Sequence, residues 1–177
     1  MAIYRPVFCL LVLVAVSHAQ NDNNALPAAP EIKQTVNRLS GHWKFQGADT
    51  ESQAKEPSKV ALTIDCRPTA LGAAVVCDFR GNVADSGSVE ATAVVGYSPD
   101  EHVVRWMEIS SSGEYHDHRG NWKGNALEFE PLSYTVPHKG YTEKFSLRFP
   151  TDRELLLKAV TEGAGGVSII SGIATRD

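Results

Sequence analysis

Two histidines separated by one residue, His116 and His118, are the most suggestive chemical feature of this sequence. Residues two apart on a β-strand project from the same face, so two imidazoles can reach one metal ion, with Glu114 or Glu143 as a third ligand. Short motifs of this kind often arise by chance, and no long-range Cys/His spacing accompanies this one. We therefore favour a polar network that orients a ligand, and we predict no bound metal.

The same residues, together with Arg105, can also be interpreted as catalytic groups. An enzyme needs a nucleophile beside a base, or an acid and a base with tuned pKa values, within hydrogen-bond reach. The sequence contains no Gly-x-Ser-x-Gly or comparable nucleophile motif. A lyase-like or isomerase-like site stays open as an alternative, because such a cluster can equally serve only to hold a ligand. An interaction protein without an internal ligand is the third possibility.

Ten short segments with alternating apolar and polar residues must position these side chains. They follow one another at nearly regular spacing, separated by turn signals such as Ser98-Pro99-Asp100. This spacing is typical of an all-β, antiparallel up-and-down barrel, which at ten strands can enclose one small ligand. A flattened sandwich is the structural alternative. The predicted strands are 39–45, 59–66, 73–79, 89–97, 102–109, 114–122, 126–130, 140–149, 154–160 and 167–175.

The orientation of most candidates depends on one hairpin loop. If residues 110–113 form a four-residue loop, Met107 faces His116 and Arg105 faces His118, and we predict that this face points into the barrel. A register slip of one residue would exchange the two faces. The predicted inward set is Val103, Arg105, Met107, Ile109, Glu114, His116, His118 and Trp122. The predicted outward set is His102, Glu108, Asp117 and Arg119.

Glu143 is predicted to face the lumen on independent grounds. It alternates in phase with the apolar residues Phe145 and Leu147 along a later strand. A carboxylate on an otherwise apolar face is informative, because buried charges are rare unless they have partners.

The first residues have the pattern of an exported protein. Residues 1–19 contain Arg5, then an apolar run, then Ser17-His18-Ala19, which matches a secretory signal peptide cleaved after Ala19. The apolar run is about half as long as the ~20 residues of a membrane-spanning helix, so we expect no membrane anchor. We predict a secreted or periplasmic protein, with residues 20–30 as a disordered lead-in and 31–177 as a single domain.

Charge excludes one class of partner. The formal net charge is −4, and no basic patch is visible in the sequence. Binding to nucleic acid or to anionic lipid relies on clustered Lys and Arg, so neither is predicted.

Two cysteines lie on the apolar faces of consecutive predicted strands. If Leu71-Gly72 is the centre of the turn, Cys66 and Cys77 are directly opposite each other. Thiols of exported chains tend to pair, so we predict a disulfide.

The segment from Asn37 through Leu39 and Gly41 to Trp43 resembles the opening Gly-x-Trp signature of lipocalins and related calycin barrels. Beyond the leader, the chain resembles a family of small secreted bacterial lipocalin-like proteins classified as a domain of unknown function. The resemblance implies a short helix that closes the base of the barrel, and the sequence places a helix start at Pro30. Some related barrels bind haem through one histidine, but their fuller motif is absent here, so we predict no cofactor.

The resemblance also groups Gly41, Trp43 and Arg176 as structural residues. In lipocalin-like barrels an arginine late in the chain commonly lies across the tryptophan of the first strand, and Arg148 competes with Arg176 for this role. The function implied is binding of a small, largely apolar molecule. From the expected position of Arg105 among apolar side chains, we expect that an anionic group on this molecule would improve binding.

Overall fold

Ten antiparallel strands form one closed barrel in a computed structural model that describes residues 28–83, 87–132, 140 and 142–177. Each strand pairs with the next along the chain, and the first pairs with the last. The predicted all-β up-and-down barrel is therefore confirmed. The elements are α1 (Pro30–Leu39), β1 (Gly41–Glu51), β2 (Ser58–Thr69), β3 (Ala74–Val83), β4 (Gly87–Ser98), β5 (Val103–Ser110), β6 (Tyr115–Lys123), β7 (Ala126–Pro131), β8 (Thr142–Arg148), β9 (Glu154–Gly163) and β10 (Gly166–Arg176).

The predicted signal peptide, 1–19, lies outside the described residues, as does all of the predicted lead-in except 28–30. Among the described residues, no helix is long and apolar enough to cross a membrane.

Strand β1 shows how the alternating sequence builds the barrel wall. Trp43 and Phe45 are buried, whereas Lys44 and Gln46 between and beyond them are exposed. Successive side chains of a strand point to opposite faces, so this pattern directs the two aromatic rings into the interior. The register that pairs Trp43 with both Ile64 and Arg176 fixes them at one end of the barrel.

The predicted helix is confirmed as α1, which packs at that end. It begins at Pro30, and Ile32, Thr35 and Leu39 are its buried residues. Two indole N–H groups of the barrel donate hydrogen bonds to this helix. The Trp43 Nε1–H donates to the carbonyl oxygen of Leu39 at 2.7 Å, and the Trp122 Nε1–H donates to Thr35 Oγ1 at 3.0 Å.

Arg176, and not Arg148, covers the tryptophan of the first strand. Its guanidinium carbon lies 4.4 Å from the centre of the Trp43 ring, and one of its Nη atoms donates to the carbonyl oxygen of Arg38. Gly41 makes room for this arrangement, because a Cβ there would lie 3.2 Å from the Arg176 Cδ. The φ of Gly41 is +131°, which side chains other than that of glycine rarely adopt.

The predicted disulfide is confirmed. Cys66 and Cys77 are direct partners in the β2–β3 register, and their sulfurs are bonded across the hairpin. The turn between these strands contains Ala70, Leu71 and Gly72, all at positive φ. Both cysteines are buried and face the barrel interior.

We predict that Trp43→Ala lowers the free energy of unfolding by about 3–5 kcal/mol, the usual cost of deleting a buried large aromatic side chain. Chemical denaturation monitored by circular dichroism measures the loss. The matched control is Leu71→Asn, because Leu71 is fully exposed at a positive φ that asparagine tolerates. Equal denaturation midpoints for wild type and Trp43→Ala would contradict the packing described.

For the disulfide, the chain from residue 20 is expressed into an oxidising compartment, unfolded without reductant and labelled with a thiol reagent. We predict that no free thiol is found. Reduction should expose two thiols and lower the free energy of unfolding by about 3 kcal/mol, as the chain-entropy model gives for a short loop. Labelling of both cysteines before reduction would refute the pairing.

Candidate functional site

The barrel encloses a cavity of about 200 Å³. Its walls are almost wholly apolar, and charged side chains reach it at only two described positions, Glu108 and Glu143. Representative apolar lining residues are Phe45, Leu62, Phe79, Trp106, Phe145 and Leu157.

Strands β5 and β6 place two of the ionisable groups side by side. Glu108 is the direct partner of His116, and Trp106 is the direct partner of His118. Direct partners in an antiparallel pair project to the same face of the sheet, so Glu108 lies on the same wall as both imidazoles. The Trp106 Nε1–H donates to Glu108 Oε2 at 3.0 Å, which supplies a hydrogen bond to a largely buried carboxyl group.

Glu143 reaches the same region from β8. Its Oε1 lies 3.4 Å from His116 Nδ1 and 3.6 Å from His118 Nε2. Its other oxygen, Oε2, accepts a hydrogen bond from Thr161 Oγ1 at 3.2 Å. The two imidazole rings are stacked, with centroids 6.1 Å apart. We call Glu108, His116, His118 and Glu143 the polar cluster.

Proton affinities within the polar cluster are shifted by burial and by mutual contacts. The nearby carboxylate of Glu143 raises the pKa of His116. Burial acts in the opposite direction but is outweighed. Burial lowers the pKa of His118, which favours a neutral imidazole. Burial by itself would raise the pKa of Glu143, but His116 and His118 outweigh it and hold this pKa below its ordinary value.

Glu108 behaves oppositely to Glu143. Burial raises its pKa, and the hydrogen bond from Trp106 only partly offsets that effect. Two carboxyl groups in one cavity thus differ in their affinity for a proton. Neighbouring groups with opposite shifts can serve as acid and base, although networks that only stabilise a fold show such shifts too.

The prediction that Arg105 and Met107 face the lumen is wrong, as is the outward placement of Glu108. The loop between β5 and β6 contains three residues inside a closing hydrogen bond from the Ser110 N–H to the carbonyl oxygen of Glu114. Gly113 ends this loop at a φ of +80°, as in three-residue hairpin loops. With three residues instead of four, the register shifts by one and the faces of β5 are exchanged.

On the outer face, Arg105 forms an ion pair with Asp117. Its Nη2 donates to Asp117 Oδ1 at 2.8 Å and to Oδ2 at 2.7 Å, and its Nη1 donates to Glu101 at 3.0 Å. Met107 and Ile109, on the same face, are exposed. The lumen therefore receives no cation from β5.

Two further predicted residues lie apart from the cavity. Glu114 is exposed at the hairpin loop, with its Oε2 3.9 Å from His116 Nε2. Trp122 lies six residues beyond His116 on β6, roughly 20 Å away at 3.3 Å per residue, and packs beneath α1. The structure thus brings together His116, His118 and Glu143 from the predicted set.

The sequence interpretation missed Trp106 and Glu108 as lumen residues. A signal for both is the run Ser110-Ser111-Ser112-Gly113, because glycine at the last position favours the three-residue loop that turns them inward. The large apolar ring of Trp106 is a second signal, because such side chains are usually buried. In the structure it packs against Phe145, with ring centroids 5.1 Å apart.

Among the described residues, one group of three could hold a metal ion, namely His116, His118 and Glu143. One ligand atom from each lies within 4.8 Å of the other two. Imidazole and carboxylate together suit transition metals such as zinc.

No protein-family model matches this chain, and no curated protein sequence matches it. Solved structures do match. The S-type phycobiliprotein lyase CPES from Guillardia theta has a TM-score of 0.63 at 12% identity, over 83% of this chain and 93% of that one. Rv2717c from M. tuberculosis has a TM-score of 0.57 at 13% identity, over 85% of this chain and 99% of that one.

At these identities the likeness shows the fold alone. Together with the closed ten-strand barrel, it identifies the architecture as a lipocalin-like, calycin-type barrel. Barrels of this size can hold one small molecule, and the cavity described here is of that kind.

The raised pKa of Glu108 predicts a pH effect on stability. The folded protein retains this proton to higher pH than the unfolded chain, so its stabilising contribution is lost as the pH rises above the ordinary carboxyl value of 4.5. Relative to Glu108→Gln, the wild type should therefore become progressively less stable as the pH rises above 4.5.

Denaturant unfolding in the presence of a chelator measures this difference. Glu162→Gln, which removes an exposed carboxylate of β9, is the control and should give a smaller change. A wild type that gains stability over Glu108→Gln with rising pH would contradict the assignment.

Proposed function

We propose that this protein is an exported binding protein that holds a small, largely apolar molecule in the barrel lumen. The observation that carries the proposal is the cavity of about 200 Å³, whose lining is apolar except at one polar region. Concave apolar sites with a few convergent polar groups are the usual form of small-molecule sites.

Aromatic side chains dominate one wall of the cavity. Trp106 contacts Phe79 and Phe145, which also line the cavity, at ring-centroid distances of 6.0 and 5.1 Å. Burying an apolar molecule against these rings removes apolar surface from water on both sides, which supplies the main driving force for binding. The rings already pack against one another, so little side-chain ordering opposes binding.

The ligand's polar group is proposed to be neutral or cationic, which revises the expectation of an anion. That expectation depended on Arg105, which lies on the outer face in an ion pair with Asp117. The charged groups at the cavity are instead the carboxyl groups of Glu108 and Glu143. An added carboxylate would meet like charge in a poorly hydrated space, whereas a hydroxyl or amine can donate a hydrogen bond.

Export and family membership are further parts of the proposal. Residues 1–19 have the signal-peptide pattern, and the bonded Cys66–Cys77 pair is suited to an oxidising compartment. The Gly41-x-Trp43 signature and the lipocalin-like barrel support membership of the small secreted bacterial lipocalin-like family. Cell fractionation with N-terminal sequencing tests this part, and the expected mature N-terminus is Gln20.

A lyase-like or isomerase-like activity is the second candidate. The observation that favours it is geometric: Glu108 and Glu143 open onto the cavity beside two imidazoles. Mass spectrometry of molecules recovered from the purified protein before and after incubation separates the two functions. A binding protein returns its ligand unchanged, whereas an enzyme converts it.

The binding proposal predicts how two matched ligands will behave. With a chelator present, a neutral fluorescent apolar probe should bind the chain expressed from residue 20, and 1-decanol should displace it at roughly tenfold lower concentration than decanoate, a difference of about 1.4 kcal/mol. The physical reason is the acidic character of the cavity's polar region.

Three variants locate the bound probe. Ala91→Phe adds bulk inside the cavity and should weaken probe binding by roughly tenfold. Val94→Phe adds the same ring to the exposed face of the same strand and should leave binding unchanged, as should Arg105→Gln. Equal losses for Ala91→Phe and Val94→Phe, or tighter binding of decanoate than of decanol, would overturn the proposal.

A further inference from the structure

We propose that His116, His118 and Glu143 bind one divalent transition metal ion of the class of Zn²⁺, beside the lumen cavity. This site does not depend on the apolar ligand, because its donor atoms belong to the polar cluster and not to the apolar wall.

The two distances between the carboxylate oxygen and the ring nitrogens match a tetrahedral site. Zinc lies about 2.0–2.2 Å from imidazole nitrogen and carboxylate oxygen, so two ligand atoms of a tetrahedral ion lie roughly 3.3–3.6 Å apart. The two distances from Glu143 Oε1 are 3.4 Å to His116 Nδ1 and 3.6 Å to His118 Nε2. One ligand atom from each of the three residues lies within 4.8 Å of the other two, so the three side chains are close enough to share one ion.

Few hydrogen bonds compete with an ion for the two ring nitrogens, and metal binding would release the protons that they carry. His116 Nδ1 is buried, and apart from its 3.4 Å ion-pair contact with Glu143 Oε1 it has no hydrogen-bond partner among the residues that the structure describes. A buried polar atom without a partner costs free energy, and metal ligation would satisfy it. The Nε2 of His118 lies 3.2 Å from the carbonyl oxygen of Glu143, to which it can only donate, so metal ligation moves the ring proton to Nδ1, which is buried without a hydrogen-bond partner among the described residues.

A supporting residue holds the carboxylate. Thr161 Oγ1 donates to Glu143 Oε2, which leaves Oε1 directed at the two imidazoles. Hydrogen bonds from such outer residues orient metal ligands and tune affinity. The site is also within reach of solvent, because the side chains of His116 and Glu143 are 15% and 22% exposed, respectively.

Three protein ligands leave a fourth tetrahedral position for water or for a bound molecule. Glu108 faces His116 across the β5–β6 pair and lines the cavity, so it is placed to hydrogen-bond a group in that position. Two imidazoles and one carboxylate favour zinc, cobalt or iron over magnesium and calcium, which prefer oxygen ligands throughout.

The test uses the chain from residue 20, without a histidine tag and freed of metal by a chelator. Calorimetric titration with Zn²⁺ should give one ion per chain, whereas Mg²⁺ should give no heat of binding. Substitution of Co²⁺ should produce the intense visible absorption of a four-coordinate ion. A weak six-coordinate spectrum, or the absence of stoichiometric Zn²⁺ binding by wild type, would overturn the proposal.

Variants assign the ligands. His116→Ala and Glu143→Gln should each weaken Zn²⁺ binding by more than a hundredfold, and Thr161→Val by about 10–100-fold, as for other outer-shell residues. His102→Asn is the matched control, because His102 is an exposed turn residue at a φ of +55° that asparagine accepts. Its affinity should equal that of wild type.

Folding of each variant is checked by circular dichroism and by binding of the neutral apolar probe without metal. If His116→Ala does not fold, Glu143→Gln and the wild-type cobalt spectrum decide the outcome. Equal loss in His102→Asn would show surface binding and overturn the site. If the wild type binds Zn²⁺ but not the apolar probe, the result counts against the lumen-ligand proposal and leaves the metal site standing.

Discussion

Closure of the sheet between β1 and β10 is the constraint on which the other features depend. The pairing runs from Trp43 with Arg176 to Glu51 with Ser168, and it leaves no edge strand among the ten that the structure describes. Closed pairing separates an interior from an exterior, so every strand turns one face toward the interior. At the closing end, Arg176 lies over Trp43, and the tryptophan in turn holds α1 through the carbonyl oxygen of Leu39.

A closed apolar interior makes isolated charges expensive, which explains why the ionisable groups are gathered at one place. Burying a charge costs much less when a partner of opposite charge or a hydrogen-bond donor is at hand. Glu143 has two imidazoles and the Thr161 hydroxyl, and Glu108 has the Trp106 indole. Concentrating these groups leaves the remaining wall apolar, so one cavity offers both a hydrophobic surface and a directed polar region.

The β5–β6 hairpin decides the chemical character of that cavity. Its three-residue loop turns Trp106 and Glu108 inward and places Arg105 outside, where one of its nitrogens donates to both carboxylate oxygens of Asp117. A loop with one more residue would have placed a guanidinium and a thioether in the lumen instead. Because successive side chains of a strand point to opposite faces, lengthening the loop by one residue would exchange an acidic interior for a basic one.

The amino-acid sequence by itself determined the local features: the ten strands, the helix from Pro30, and the opposed positions of Cys66 and Cys77. Alternation and turn residues are local properties, so they can be recognised without the fold. Only the tertiary structure decided which face of β5 is internal and which carboxylate approaches His116 and His118. Glu143 is far from both in sequence, and its approach depends on strand register and on barrel closure, which sum many weak long-range contacts that no short pattern contains.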